Sequence, residues 1–147
     1  MKTKKLSRSK LVKKLDAIFS QYVRLYYSDK RAMCDCYTCW TRLKRNKIQN
    51  GHFITRGNYK YRWDIDNCRP QCIACNIFLH WNYIPYTINM IREYWEKKIL
   101  KMKNDKQIVK ITTAEIMDNI DKYTDMVNEL LLLKRQKLPL KNQRKSV

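Results

Sequence analysis

Apolar residues recur at helical spacing in three long windows. Leu11, Leu15, Phe19, Tyr22 and Tyr26 follow one another at steps of three or four, with Ile18 and Val23 beside them. This spacing predicts an amphipathic helix over about 9–28, its aromatic stripe read as core rather than as a base-stacking surface. Ile88, Ile91, Trp95, Ile99 and Met102 mark a second such face over 87–103, broken by Asn104-Asp105. Thr112-Thr-Ala-Glu115 has the form of a capping box, in which hydroxyl and carboxylate each accept from the other residue's backbone N–H. After it, Ile116, Ile120, Tyr123, Val127 and Leu130 predict a third helix over about 113–136. The unbroken apolar run from Leu130 to Leu133 marks an end that is buried or meets a partner.

Between the first two windows the pattern changes. Met33-Cys-Asp-Cys-Tyr-Thr-Cys-Trp40 reads as a tight, cysteine-bearing turn. Ile48, Phe53, Ile54, Tyr59, Tyr61 and Trp63 surround an Arg56-Gly57-Asn58 break, which suggests a short irregular hairpin or loop. Asp64 to Gln71, with Pro70, reads as a polar connector. From Cys72 the pattern turns helical through Cys75, Phe78, Leu79 and Trp81, and Pro85 is expected to end it. Only 2 Gly and 3 Pro in 147 residues argue against a turn-rich all-β chain and favour long helices. The expected class is therefore α+β, mainly helical. It comprises one domain over 9–136, with its core at 33–84 and helices over 87–136, between basic tails at 1–8 and 137–147. No internal repeat is evident.

Charge adds a partner to this picture. Lys and Arg number 32 against 13 Asp and Glu, a net charge of +19. Such an excess attracts phosphate backbones and gains from counterion release. With aromatics interleaved and cysteines clustered, nucleic acid is the expected partner rather than an anionic membrane surface. The basic run Thr41-Arg-Leu-Lys-Arg-Asn-Lys47 puts Arg42, Lys44 and Arg45 forward as phosphate contacts. No segment is long or apolar enough to span a bilayer. The N-terminal charges have no apolar run behind them, so no signal peptide is expected and the compartment is read as cytoplasmic and reducing.

In a reducing compartment, paired C-x-x-C turns are metal ligands rather than disulfides. Cys36/Cys39 and Cys72/Cys75 present four thiolates, the tetrahedral set that zinc takes in structural sites. The pairs bracket a 32-residue insert, so folding and metal loading should be coupled. Cys34 and Cys68 remain. Each could replace a member of its neighbouring pair or be a small buried thiol.

The insert and its flank hold both histidines. An imidazole of near-neutral pKa suits the activation of water, and a divalent ion suits the charge that builds on a phosphodiester under attack. Asn76 and His80 are four residues apart and on a helix would share a face. An amide oxygen and an imidazole there could hold one divalent ion beside His52. The alternative for His80 is packing beside Trp81.

Gly51-His52-Phe53-Ile54-x-Arg56, Arg62-Trp63-Asp64-x-x-Asn67 and Pro70-Gln71-Cys72-x-x-Cys75-Asn76-x-x-Leu79 resemble the HNH, or ββα-metal, endonucleases, and more closely the phage NinG/Rap recombination endonucleases. The flanking Phe19-Ser20-x-Tyr22-x-Arg24-Leu25 and the Tyr-rich C-terminal half fit as well, so the resemblance spans roughly 10–135. It implies a zinc-stapled HNH-like core flanked by an N-terminal and two C-terminal helices. It also implies metal-dependent cleavage of branched DNA, such as Holliday junctions and D-loops, during recombination, in the host cytoplasm. By position His52 matches the general base, and Asn67 the residue fixing the loop that bears it. Asn76 and His80 match the ligands of the catalytic ion, magnesium or manganese. Many HNH sites carry Asp or His just before the base. Here that position is Gly51, so the metal shell is expected to be completed by phosphate and water or by another residue, with Asn50 and Asp64 as candidates. Arg56, Arg62 and Arg69 are expected at the scissile phosphate. The competing reading is a non-catalytic, zinc-dependent nucleic-acid-binding protein. A nuclease with sequence specificity lacks an evident recognition module. Two-fold substrates and the Leu130–Leu133 run suggest a homodimer.

Overall fold

The computed structural model describes residues 6–136, and the predicted tails at 1–8 and 137–147 lie, but for residues 6–8, outside them. The chain is mixed α and β and mainly helical. Helix α1 (Arg8–Tyr26) packs along α4 (Thr113–Gln136). Leu11, Leu15, Phe19, Tyr22 and Val23 from the first meet Ile116, Ile120, Tyr123 and Val127 from the second. The aromatic stripe is core, as its spacing predicts. Tyr123 lies 4.9 Å from the Phe19 ring and 5.4 Å from the Tyr22 ring, and its hydroxyl donates to the Trp63 carbonyl at 2.7 Å. Tyr26 is the exception and faces solvent. The capping box forms: Glu115 N–H donates to Thr112 Oγ1, and Thr112 N–H to Glu115 Oε2.

The middle of the chain is built from two small antiparallel ladders. Strands β1 (Met33–Asp35) and β2 (Arg42–Lys44) make a hairpin whose tip carries Cys36 and Cys39. Strand β3 (Gln49–His52) pairs with β4 (Cys68–Gln71), in the register Gln49↔Gln71 through His52↔Cys68. This corrects the expected local hairpin within 48–63: the partner strand is the stretch read as a polar connector. Pro70 is tolerated there because the ladder is only two strands wide, and its carbonyl accepts from Tyr37 N–H. The loop between the strands holds the short helix α2 (Tyr59–Arg62).

The helical stretch expected from Cys72 to Trp81 is also corrected. A five-residue π-type turn (Ala74–Phe78) is followed by three left-handed residues, His80 (φ 46), Trp81 (φ 68) and Asn82 (φ 45). The chain then reverses into α3 (Tyr83–Asn104). Pro85 does not end a helix. It stands in the first turn of α3, where its missing N–H has no carbonyl to serve. A further residue of positive φ, Trp95 (φ 69), kinks α3 and breaks the phase of its apolar face. Of the predicted face, Trp95 and Ile88 are exposed, while Ile99 and Met102 are buried and Ile91 partly so; they pack with Tyr86 and Met90 against Phe53 and Tyr61.

Leu130 and Leu131 pack at the edge of the α1–α4 core, while Leu132 and Leu133 lie half in solvent. Leu15→Ala should therefore cost about 2–5 kcal/mol. Leu132→Ala should stay within about 0.5 kcal/mol. Urea unfolding of the two variants checks this, and equal losses would mean that the apolar run, not the α1 stripe, anchors the pair.

Candidate functional site

The sulfur atoms of Cys36, Cys39, Cys72 and Cys75 all lie within 4.8 Å of one another, with Cys39 and Cys72 at 3.7 Å. A tetrahedron with zinc–sulfur bonds of about 2.3 Å has edges of about 3.8 Å, so the donor set fits that ion. Outer hydrogen bonds favour thiolates. Cys72 N–H points at Cys36 Sγ (3.3 Å), Cys75 N–H at Cys72 Sγ (3.5 Å) and Asn82 Nδ2 at Cys75 Sγ (3.5 Å). Burial works against ionisation of Cys36, but the Thr38 hydroxyl and backbone N–H groups outweigh it and draw its pKa below the ordinary thiol value. Cys34 and Cys68 are buried and stand outside the cluster. Cys34 faces the Arg24 carbonyl, and Cys68 lies in the α1–α4 core. Of the two readings open for them, small buried thiols is the one realised.

The cysteine cluster flanks the start of the π-type turn and the end of β4, which pairs with β3. Strand alternation then puts Asn50 and His52 on one face. Both line a cavity of about 720 Å³, with Arg24, Arg56 and Asn76 on its other walls. The loop that follows His52 is held by Asn67, which is fully buried. Its Oδ1 accepts from Ile54 N–H at 2.7 Å, and its Nδ2 donates to the Ile54 and Tyr61 carbonyls at 3.0 and 2.9 Å.

His52 is 7% exposed. Its Nε2 lies 2.9 Å from the Arg62 carbonyl. A carbonyl can only accept, so the proton sits on Nε2 and Nδ1 keeps its lone pair. Burial, reinforced by the positive charge of Arg56 and Arg62, holds the pKa down at about 4 despite that hydrogen bond. The imidazole is thus neutral at physiological pH and able to take a proton. The carbonyl it leans on is itself anchored. Asp16 receives Arg62 Nε and Nη2 at 2.9 and 2.7 Å, and the Trp63 indole N–H at 2.9 Å. Burial opposes ionisation of Asp16, but Arg62 and Trp63 keep its pKa below the usual carboxylate range.

Asn76 Nδ2 donates to Gln49 Oε1 at 2.8 Å, which orients the side chain on the cavity wall. Asn50 Oδ1 is buried with no hydrogen-bond partner among the described residues. An orphaned amide oxygen is an acceptor that a cation or a hydroxyl could satisfy. Of the two substitutes considered for position 51, Asn50 lines the cavity. Asp64 instead accepts Asp66 N–H at the start of a 3₁₀ turn. A Cβ at position 51 would come within 2.1 Å of Gln71 Oε1, so a larger residue there requires the Gln71 side chain to move.

Three sequence expectations change. Asn76 and His80 do not share a helix face, since the helical path ends before His80. That residue is exposed and lines a separate cavity with Phe53 and Tyr83. Arg69, expected at a phosphate, is 1% exposed. It pairs with Glu93 at 2.6 Å, also donates to Tyr94, and lies against the Tyr27, Tyr37 and Tyr94 rings. Arg62 is spent on Asp16 and the Arg56 carbonyl. Arg56, Lys44 and Arg45 are open to solvent to varying degrees, and Arg42 is exposed but paired with Asp29 and Asp35. Sequence reasoning missed Asp16 and Arg24. The signal was there: Asp16, Ser20 and Arg24 recur every four residues on α1, a polar stripe beside its apolar one.

The family described as Bacteriophage Lambda NinG protein matches over residues 1–132. No curated protein and no solved structure matches the chain. Among the described residues no helix is long and apolar enough to cross a membrane.

Two outcomes follow. Purified protein should carry one zinc per chain by atomic emission. Cys36→Ser or Cys72→Ser should lose both the zinc and the cooperative melting transition, while Cys34→Ser keeps the metal. Full zinc content in Cys36→Ser would remove the cluster as the site. In zinc-loaded protein the His52 imidazole should still be neutral at pH 5.5 by NMR, with a midpoint near 4. Because the folded value lies below the unfolded one of about 6.5, the unfolded chain protonates first. This group's contribution to stability is complete above that pH and is lost as pH falls from there towards 4. A midpoint near 6.5 would contradict the buried, carbonyl-bound geometry.

Proposed function

The chain belongs to the family described as Bacteriophage Lambda NinG protein, and on that footing we propose that it is a zinc-stapled, HNH-like DNA endonuclease. In this reading it acts on branched recombination intermediates, Holliday junctions and D-loops, in the cytoplasm of a phage host. The observation that carries the proposal is the state of His52: buried, neutral, its proton turned to a carbonyl, on the wall of a cavity that it shares with Asn50, Asn76, Arg24 and Arg56.

In this reading His52 Nδ1 takes a proton from water as the water oxygen bonds to phosphorus, and the phosphorus bond to the leaving sugar oxygen breaks. Asn50 Oδ1 and Asn76 Oδ1 would hold a magnesium or manganese ion, with water and phosphate oxygens completing the shell. When bound, that ion supplies stabilisation of charge on the phosphate and leaving oxygens. His80 is withdrawn from this set on the geometry above. Arg24 and Arg56 meet the phosphate, and Asn67 with the Asp16–Arg62 pair keeps the His52 loop in place. The strand pair β3–β4 followed by the turn at Ala74–Phe78 has the order of elements expected of a ββα-metal core.

One observation favours the second reading, a zinc-dependent binding protein without catalysis: no carboxylate lines the cavity among the described residues. The two are separated by labelled four-way junctions incubated with Mg²⁺ or Mn²⁺. Wild type should cleave. His52→Ala should bind equally but cleave at least about 100-fold more slowly. Cleavage untouched by His52→Ala would sink the assignment, and salt-sensitive binding without cleavage under either ion would establish the second reading.

A further inference from the structure

Beyond the cavity, the turn that joins β4 to α3 does something unusual with its apolar side chains: it shows them to solvent. Ile77, Phe78, Leu79, Trp81 and Ile84 all stand outside the three cores, and Phe78 and Ile84 are more than 70% exposed. A basic protein gains nothing by exposing a run of large apolar groups, and such patches mark contacts. The run is also held in place rather than loose. Gln71, fully buried, donates to the Trp81 carbonyl at 2.8 Å, and Asn82 reaches Cys75 Sγ. The three left-handed residues are thereby clamped to β4 and to the metal cluster.

Position and charge say what this ridge meets. Ile77 and Trp81 line the His52 cavity, and Trp81 also lines a second, open hollow of about 450 Å³ with Phe53, Tyr83 and His80. The ridge is therefore continuous with the proposed phosphodiester site. From Asn67 to Arg92 the chain has no Asp or Glu. Lys103 lies 5.2 Å from the Tyr83 ring centroid, and Arg24 and Arg56 share the cavity wall with Ile77 and Trp81. An apolar surface flanked by cations, with no acid in its own segment, suits a polyanion that carries flat apolar faces. A second copy of this chain brings +19 of its own and is repelled. Paired duplex offers no free base faces, because stacking already buries them. A branch point or an unpaired strand does offer them.

We propose that the ridge Ile77–Ile84 seats unstacked bases at the branch point, as a wedge and stacking platform beside the scissile phosphate. The inference rests on the reading of the chain as a branched-DNA protein. It gives that reading a physical source of selectivity: phosphate contacts are common to every duplex, whereas the ridge rewards only DNA with open base faces.

The test uses zinc-loaded, full-length protein without added Mg²⁺, so that binding is read apart from cleavage. Phe78→Ala and Ile84→Ala alter exposed side chains and should leave melting and zinc content unchanged. Binding to a four-way junction should weaken about tenfold or more, the range expected for loss of one stacked base. Binding to plain duplex of equal length should not change. A 2-aminopurine at the branch point should change fluorescence on binding wild type and not on binding Phe78→Ala. Equal loss on junction and duplex, or no loss on either, overturns the proposal. So does a variant that binds DNA normally but loses self-association in light scattering, since the ridge would then be a protein interface. Junction binding that depends on the ridge in a protein that never cleaves would sustain this inference while the catalytic assignment falls. Cleavage that needs His52 but ignores Phe78 and Ile84 would do the reverse.

Discussion

Four sulfur atoms gathered within 4.8 Å are the constraint on which the rest depends. Without an ion, four thiols at that spacing face burial and mutual repulsion as soon as they ionise. With zinc, they become the strongest link in a region that has little else. Neither ladder exceeds four residues per strand, and the turn that follows is not a regular helix. Small two-stranded ladders are marginal by themselves. The cluster ties the β1–β2 tip to the end of β4, β4 sets the register of β3, and β3 ends at His52. In the proposed reading the site is thus placed by metal ligation at one end and by the α1–α4 core at the other.

Around that frame the charges divide into two populations. Arg69 and Arg62 are structural. Each is held by an acid, and each organises carbonyls around it rather than presenting a charge to solvent. Their burial is tolerable because the acid, carbonyls and tyrosine rings together satisfy the guanidinium, and removing a partner from such a set costs far more than removing a surface pair. Arg24 and Arg56 are the complement: they stand on the cavity wall and are not taken up by a carboxylate among the recorded ion pairs. In the proposed reading the first population builds the site and the second meets the substrate.

How much of this was visible in the sequence depends on how far each feature reaches. The α4 window, its capping box and the paired cysteines are local patterns, and they were legible. His52 stood out because its neighbours carry a family pattern, and the structure places it on the cavity wall. The β3–β4 pairing was not legible, because strand partners across a long loop are chosen by the cluster and by Asn67, not by alternation within either strand. The fates of the arginines were hidden for the same reason: Asp16 lies 46 residues from Arg62, and Glu93 lies 24 from Arg69. His80 was misplaced because four-residue spacing means a shared face only where the helix continues, and three left-handed residues interrupt it here.

Those left-handed residues also account for the glycine at position 51. Gln71 must lie flat beneath β3 for its amide to reach the Trp81 carbonyl and Thr38 Oγ1. Any side chain at position 51 would occupy that space. Gly51 therefore belongs to the clamp that holds the ridge, and a metal ligand at that position would displace the clamp. In the proposed site an oxygen ligand has to come instead from Asn50, which lines the cavity and whose buried Oδ1 has no hydrogen-bond partner among the described residues. In the proposed reading the glycine at 51 and the fixed apolar ridge go together: the position offers no ligand to an ion, and the clamp that it admits holds a surface that would reward DNA with open base faces.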